Sequence, residues 1–338
     1  MASTQSELLP TARNITTTPR LSDRIFRIVM TFGGVFSFIV LAAIFAYLFL
    51  SSTPVFREFG LGFITNSQWV SGDGFPASAG STDPAVFGLF PMLYGSTLIA
   101  IVAMLISLPI SVALALGIVF YLPKKLSTTV TLITDLAASI PSVIFGIWGL
   151  FVLVPHAKYW ATLLDKYLGF IPLFNSEFKV FDQSPFIAAI VLSVMITPII
   201  TSVAREIFSQ TPLDLIQGAY ALGATKSAMI RNIVMPFGRS GVIGGAMLGL
   251  GRALGETVAV FFVLNLTYDK TNWFRILDSE GGSVASLIVA KYGEALDFEI
   301  AGLFGAGLVL FVLTLFANLV AAAIVNQTLQ KGGRKVKK

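Results

Sequence analysis

Cysteine is absent from this sequence, and histidine occurs once, at His156. The first absence removes disulfide frameworks, thiolate metal sites and thiol nucleophiles; the second removes any histidine metal cluster built from this chain alone. Charge is scarce as well: 12% of the residues are Asp, Glu, Lys or Arg, where a soluble domain carries about 25%. Apolar residues take their place, 55% of the 338, with a mean hydropathy of +0.82. That balance describes a chain crossing a lipid bilayer several times. The net charge of +5 follows membrane topology, and no nucleic-acid partner is expected.

Nucleotide motifs are missing too. Gly218 and Gly223 have the G-x-x-x-x-G spacing of a P-loop, but Ala224 and Thr225 stand where Lys and Ser/Thr would hold phosphate and Mg²⁺. Gly249-Leu250-Gly251 is followed by Leu254 where a dinucleotide fingerprint needs glycine. The chain therefore hydrolyses no ATP; if transport is driven, a partner drives it. No internal repeat is visible, which weighs against inverted-repeat secondary transporters.

Six apolar stretches are long enough to cross about 30 Å of hydrocarbon: 28–50, 92–121, 127–155, 185–208, 238–266 and 300–326. The run at 28–50 is too long for a signal-peptide core, so residues 1–27 read as a polar cytoplasmic tail. The chain then divides into that tail, a membrane domain over 28–326 and a basic cytoplasmic tail over 327–338. Lys and Arg fall unevenly. The tail has four, Lys124 and Lys125 follow, four lie between 205 and 239, and five run from Lys331 onward, against seven in the longer loops. The positive-inside rule places both termini in the cytoplasm. Trp69, Trp160 and Trp273 then fall in outer loops and read as interfacial anchors or a docking surface.

The cytoplasmic segment 209–235 predicts two short helices with an elbow. Pro212 opens the first, with Thr211 as its cap and Asp214 in its first turn; Gly223 ends it, and the second stops before Pro236. A plain connection between spans needs far fewer residues.

In the fifth span, Arg252 and Glu256 interrupt an apolar run, where each charge costs about 2.5–3.5 kcal/mol at a bilayer centre. On an ideal helix they share a face about 80° wide with Gly241, Gly245 and Gly249. Small residues at that spacing allow close helix approach. The face therefore predicts a seam with another helix or subunit. A structural ion pair is one reading. The other is an anion site, since guanidinium binds tetrahedral oxyanions bidentately. In that reading Glu256 holds Arg252 in the empty state and accepts a hydrogen bond from a protonated oxygen of the anion, which sulfate does not offer. Ser139, Ser142 and Thr257 are further donors to such an anion, although hydroxyls in spans more often bond their own helix. Pro141 is read as a kink in the third span, Asp135 as a residue facing water at its cytoplasmic end.

The segment 209–236 resembles the cytoplasmic Glu-Ala-Ala loop of the binding-protein-dependent ABC importer permeases. That pattern is E-A-A, three residues, G, nine residues, then I-x-L-P. Here Gln217-Gly218-Ala219 precedes Gly223, and Ile233-Val234-Met235-Pro236 completes it. The spacing of Ala219, Gly223, Ile233 and Pro236 holds; Gln217, Gly218 and Met235 depart. The resemblance implies that this loop, including Tyr220 and Ala224, docks on an ATP-binding subunit. The string Gly251-Arg252-Ala253-Leu254-Gly255-Glu256-Thr257 is similar to the C-type permeases of the phosphate-specific Pst system, as are 138–149 and 87–96.

The resemblance implies an all-α integral membrane fold of six transmembrane helices in the type I ABC importer (MetI-like) arrangement. It implies a non-catalytic permease in a bacterial inner membrane. The implied partners are a second, A-type permease, two ATP-binding subunits that hold ATP and Mg²⁺, and an extracytoplasmic phosphate-binding protein. Other oxyanions such as molybdate or phosphonate, and an ATP-independent anion transporter or channel, remain alternatives. An intramembrane enzyme using Glu256 or Asp135 lacks a companion nucleophile or second carboxylate motif.

Overall fold

A computed structural model describes residues 21–70, 86–177, 179–268 and 275–335, with side chains described as far as 323. Its elements are α1 (Leu21–Phe59), α2 (Gly62–Thr65), β1 (Trp69–Val70), β2 (Val86–Phe87), α3 (Phe90–Leu116), α4 (Lys124–Ala138), α5 (Ser142–Trp148), α6 (Val154–Leu168), α7 (Pro185–Ser209), α8 (Leu213–Ala221), α9 (Lys226–Met229), α10 (Met235–Gly255), α11 (Val258–Val263), α12 (Val284–Tyr292) and α13 (Asp297–Lys335). The chain forms two units, 1–47 and 48–338. In the first, the described part is the run of α1 to Tyr47, whose apolar side chains lie open all round, as on a helix bathed in lipid. The second holds the helical core.

Six helical rods among the described residues are long and apolar enough to span a bilayer. Three match the stretches read from hydropathy to within a few residues, and a fourth, α1, covers its stretch but is longer at both ends. Residues 21–27, assigned to the polar tail, already belong to α1, and the helix of α13 runs on to Lys335 past the start of the basic tail.

The other two rods differ. The third span is Ser142–Leu168 instead of 127–155. Pro123 and Pro141 sit extended at the starts of α4 and α5, so α4 is a separate helix. Pro141 therefore does not kink a span; it begins one. The fifth span is Lys226–Gly255 instead of 238–266. Pro236 does not stop the second loop helix, because a π turn over Ile230–Val234 carries α9 into α10, with Met235 N–H bonded to the Ile230 carbonyl. The looser turn accommodates a residue that has no N–H to give.

The centre of the second unit is α3 against α7, with α10 alongside. Ile99, Ala103, Leu192, Met195, Ile196 and Ile200 are fully buried here. Both α3 and α7 contain a proline, Pro109 and Pro198. Ser111 Oγ donates to the Thr197 carbonyl at 3.1 Å, tying the two helices together beside Pro198.

Ahead of α3, β1 and β2 pair antiparallel and carry Trp69 and Phe87 into an aromatic cluster with Phe63 and Phe298. Trp69 is 3% exposed and its indole N–H donates to Glu299 Oε1 at 3.1 Å. It is therefore a core residue, and the reading as an anchor or docking side chain is corrected. Trp160 is exposed, and Trp273 lies outside the described residues. Tyr268 packs nearby with Lys291 over its ring. Burial, then the carboxylates of Glu294 and Glu299, raises the phenol above its ordinary pKa.

Candidate functional site

Two features of the fifth rod carry the chemistry: the elbow that leads into it and the break that ends it.

The elbow has a defined local cause. Gly223 takes φ +79°, a left-handed conformation that costs a side-chain-bearing residue about 1–2 kcal/mol. With it, the Ala224 N–H reaches the Ala219 carbonyl at 3.0 Å and the Gly223 N–H reaches Tyr220 O at 2.9 Å. This is a Schellman cap, and it explains why alanine and glycine stand four residues apart in the motif. Thr225 Oγ1 then accepts from Ala228 N to start α9. Thr211 is not the cap of α8: its hydroxyl donates back to Phe208 O, and Pro212 holds the cap position.

Ile216 and Ala219 press α8 onto Ala115, Phe208, Met229, Ile230 and Val234. The loop is thus packed onto the adjoining parts of α3, α7 and α10. Gln217, Gly218, Tyr220, Gly223 and Pro236 are exposed; Ala224 and Ile233 are half-buried. Leu213, Leu215 and Leu222 are exposed as well, Leu222 at 91%. Exposed leucines on an elbow outside the spans have the chemistry of a landing surface for a partner. Lys226 Nζ lies 4.5 Å over the Tyr121 ring, joining the elbow to the end of the second span. Arg205 and Asp135 make an ion pair at 3.4 Å, so Asp135 ties α4 to α7 instead of simply facing water.

The glycines of α10 pack within this chain. Gly241 lies against Ile207, Gly245 has Val203 Cβ 3.3 Å from where its own Cβ would stand, and Gly249 has Ile200 Cδ1 at 2.7 Å. At Gly241 a side chain would run into the branch of Ile207, and at Gly245 and Gly249 the facing α7 side chains would have to shift.

The charged pair is not arranged as one helix would arrange it. α10 ends at Gly255, and Glu256 is extended at φ −72°, ψ 125°. Arg252 occupies the last turn of α10 and is exposed in this chain; Glu256 is 8% exposed. Among the described residues no ion pair joins them. Glu256 Oε1 instead accepts the Ala259 N–H at 3.2 Å, capping α11. The placement of both charges on one helical face with three glycines is therefore corrected, and so is the ion pair. The physical reason is that a carboxylate at this break satisfies an orphan N–H at the start of the next helix. Thr257 Oγ1 donates to Gly255 O at 3.2 Å, and its carbonyl accepts from Ser286 Oγ at 3.5 Å.

Ser139 Oγ donates to Leu136 O at 2.7 Å, in its own helix. Ser142 begins α5, which packs on α11 where Gly146 meets Ala259. Among the described residues no hydrogen bond joins Ser139 or Ser142 to Arg252, Glu256 or Thr257. Sequence reasoning missed Asn318, whose amide lies against Gly251, next to Arg252. A polar residue in the middle of the sixth apolar run was the available signal.

Residues 107–329 match the family model described as "Binding-protein-dependent transport system inner membrane component". The chain is 37% identical over 310 residues to "Phosphate transport system permease protein PstC 2" of Mycobacterium tuberculosis, covering 91% of this chain and 93% of that one. It is 33% identical over 298 residues to "Probable phosphate transport system permease protein PstC" of Methanocaldococcus jannaschii, covering 86% and 90%. Among solved structures it is similar to a chain of a bacterial alginate ABC transporter in complex with its alginate pentasaccharide-bound periplasmic protein (TM-score 0.52, 17% identity, 90% of this chain and 96% of that one). It is also similar to a chain of the inward-facing MetNI methionine ABC transporter (TM-score 0.50, 16% identity, 71% and 97%). These two speak for the fold alone, which is the MetI-like importer permease fold.

Proposed function

The chain belongs to the family of binding-protein-dependent transport system inner membrane components, and from that membership we propose that it is the permease subunit of an ATP-driven importer of inorganic phosphate. It is a multi-pass inner membrane protein; the excess of Lys and Arg in the segments assigned to the inside supports cytoplasmic termini. ABC permease subunits are generally non-catalytic. The partners proposed are a second, A-type permease, two ATP-binding subunits carrying ATP and Mg²⁺, and an extracytoplasmic phosphate-binding protein.

The observation that carries the site is Arg252. It is a guanidinium in a membrane rod, exposed in the single chain, with its sequence-neighbour carboxylate committed elsewhere. Such a charge is stable only beside water, an anion or another subunit. Phosphate released from the binding protein meets Arg252 transiently and binds by paired charge-assisted hydrogen bonds. Glu256 keeps the break between α10 and α11 in place. Its second oxygen has no hydrogen bond among the described residues and is the acceptor for a protonated phosphate oxygen. On the cytoplasmic side, closure of the ATP-binding dimer pulls α8. The contact of Ile216 and Ala219 with the ends of α3, α7 and α10 passes that movement to the rod bearing Arg252.

Arg252→Gln tests the reading in the reconstituted transporter. Phosphate uptake is lost while the complex still assembles. Uptake at the parental rate in that variant removes Arg252 from the route.

A further inference from the structure

Among the described residues two buried side-chain oxygens have no hydrogen-bond partner, Ser107 Oγ and Asn318 Oδ1. The second stands on α13 beside the charged end of α10. Gly251 has no side chain, and a Cβ built there would lie 3.8 Å from Asn318 Nδ2. The amide therefore sits against the α10 backbone one residue before Arg252.

A carbonyl sealed from water without a donor is a net cost, and leucine, of nearly the same shape, would remove that cost. Arg252 has the complementary deficit. It offers five N–H donors and has no hydrogen bond or ion pair among the described residues. An acceptor without a donor, on Asn318, thus belongs to the residue packed at Gly251, and a guanidinium without an acceptor belongs to the next residue of α10. We propose that Asn318 is a positioning residue of the anion site: its carbonyl accepts one N–H of Arg252 when phosphate is bound, turning the guanidinium so that its remaining fork faces the anion. The inference rests on the reading that Arg252 meets phosphate. A bidentate contact needs the guanidinium plane held in one orientation, which a long free side chain does not supply.

The test uses the full transporter in proteoliposomes with its loaded binding protein, measuring phosphate moved per ATP hydrolysed. Asn318→Leu should assemble and melt like the parent or slightly higher, since it removes an unsatisfied buried oxygen. Its uptake should fall about tenfold, the effect of losing one hydrogen bond to a charged group. Stimulated ATP hydrolysis should stay within about twofold, so the transport ratio falls. Asn318→Gln should recover part of the ratio, and Asn318→Ala repeats the measurement should leucine crowd α10. In an Arg252→Lys background Asn318→Leu should add less than about threefold, because the guanidinium fork it serves is gone. A parental ratio in both Asn318→Leu and Asn318→Ala overturns the proposal, as does a proportional fall of uptake and hydrolysis together. If Arg252→Gln abolishes uptake and these variants are normal, the positioning role alone fails; if Arg252→Gln transports phosphate, the underlying reading fails with it.

Discussion

Glu256 offers the sharpest test of how the break in the fifth rod is held. Its carboxylate accepts the Ala259 N–H at 3.2 Å and is 8% exposed. α11 is six residues long, too short to persist without tertiary support. A hydrogen bond to a charged group contributes roughly 1.5–3 kcal/mol, and this one, at the long end of the usual range, belongs near the lower figure. Glu256→Ala also removes a buried methylene, about 0.8 kcal/mol. Relief of the carboxylate's desolvation offsets part of the sum, which leaves about 1–2 kcal/mol. Glu256→Gln retains an oxygen at the same position and should lose about 0.5 kcal/mol. Hydrogen–deuterium exchange over 256–264 in the assembled transporter reads the difference. Local opening should rise about 5- to 30-fold in Glu256→Ala and two- to threefold in Glu256→Gln. Phosphate uptake should follow the same order. Equal damage in the two variants would mean that the negative charge matters and the acceptor does not, which refutes the capping argument.

Further outcomes follow from other positions. Glu256→Gln should also weaken discrimination against sulfate at the permease, seen as sulfate competition in uptake; unchanged discrimination removes the selectivity role of its second oxygen. Gly223→Ala meets open space, so its cost is the backbone alone, about 1–2 kcal/mol; ATP hydrolysis stimulated by loaded binding protein should drop while the spans melt normally. Gly241→Val drives its side chain into Ile207 and should destabilise the α7–α10 contact by about 1–3 kcal/mol, measured as thermal unfolding in detergent. The folded Tyr268 phenol holds its proton more tightly than the unfolded one. The stability it contributes is therefore complete below about pH 10 and falls as pH rises through the folded value. Alkaline unfolding followed by tyrosinate absorbance should lose that component in Tyr268→Phe.

The sequence by itself determined the class of protein, because 55% apolar residues in long runs admit no other solvent than lipid. It determined the elbow too: Ala219 and Gly223 are spaced by a local cap whose bonds close within six residues. It also singled out Arg252, since charge in an apolar run is conspicuous at any level of structure. What only the tertiary structure decided depends on competing partners far apart in the chain. Hydropathy adds α4 to the third span because it does not register that Pro141 lets one helix end and another begin. Helical periodicity carries α10 through Glu256 because it does not register that the start of α11, seated on Gly146 of α5, holds an N–H in need of an acceptor. Trp69 looked like an interfacial residue until Glu299, 230 positions away, supplied the acceptor for its indole. Asn318 gained a neighbour in Gly251 only when α13 packed on α10. Local bonds are written in neighbouring letters; the choice among partners for a charge or a polar group is made by packing.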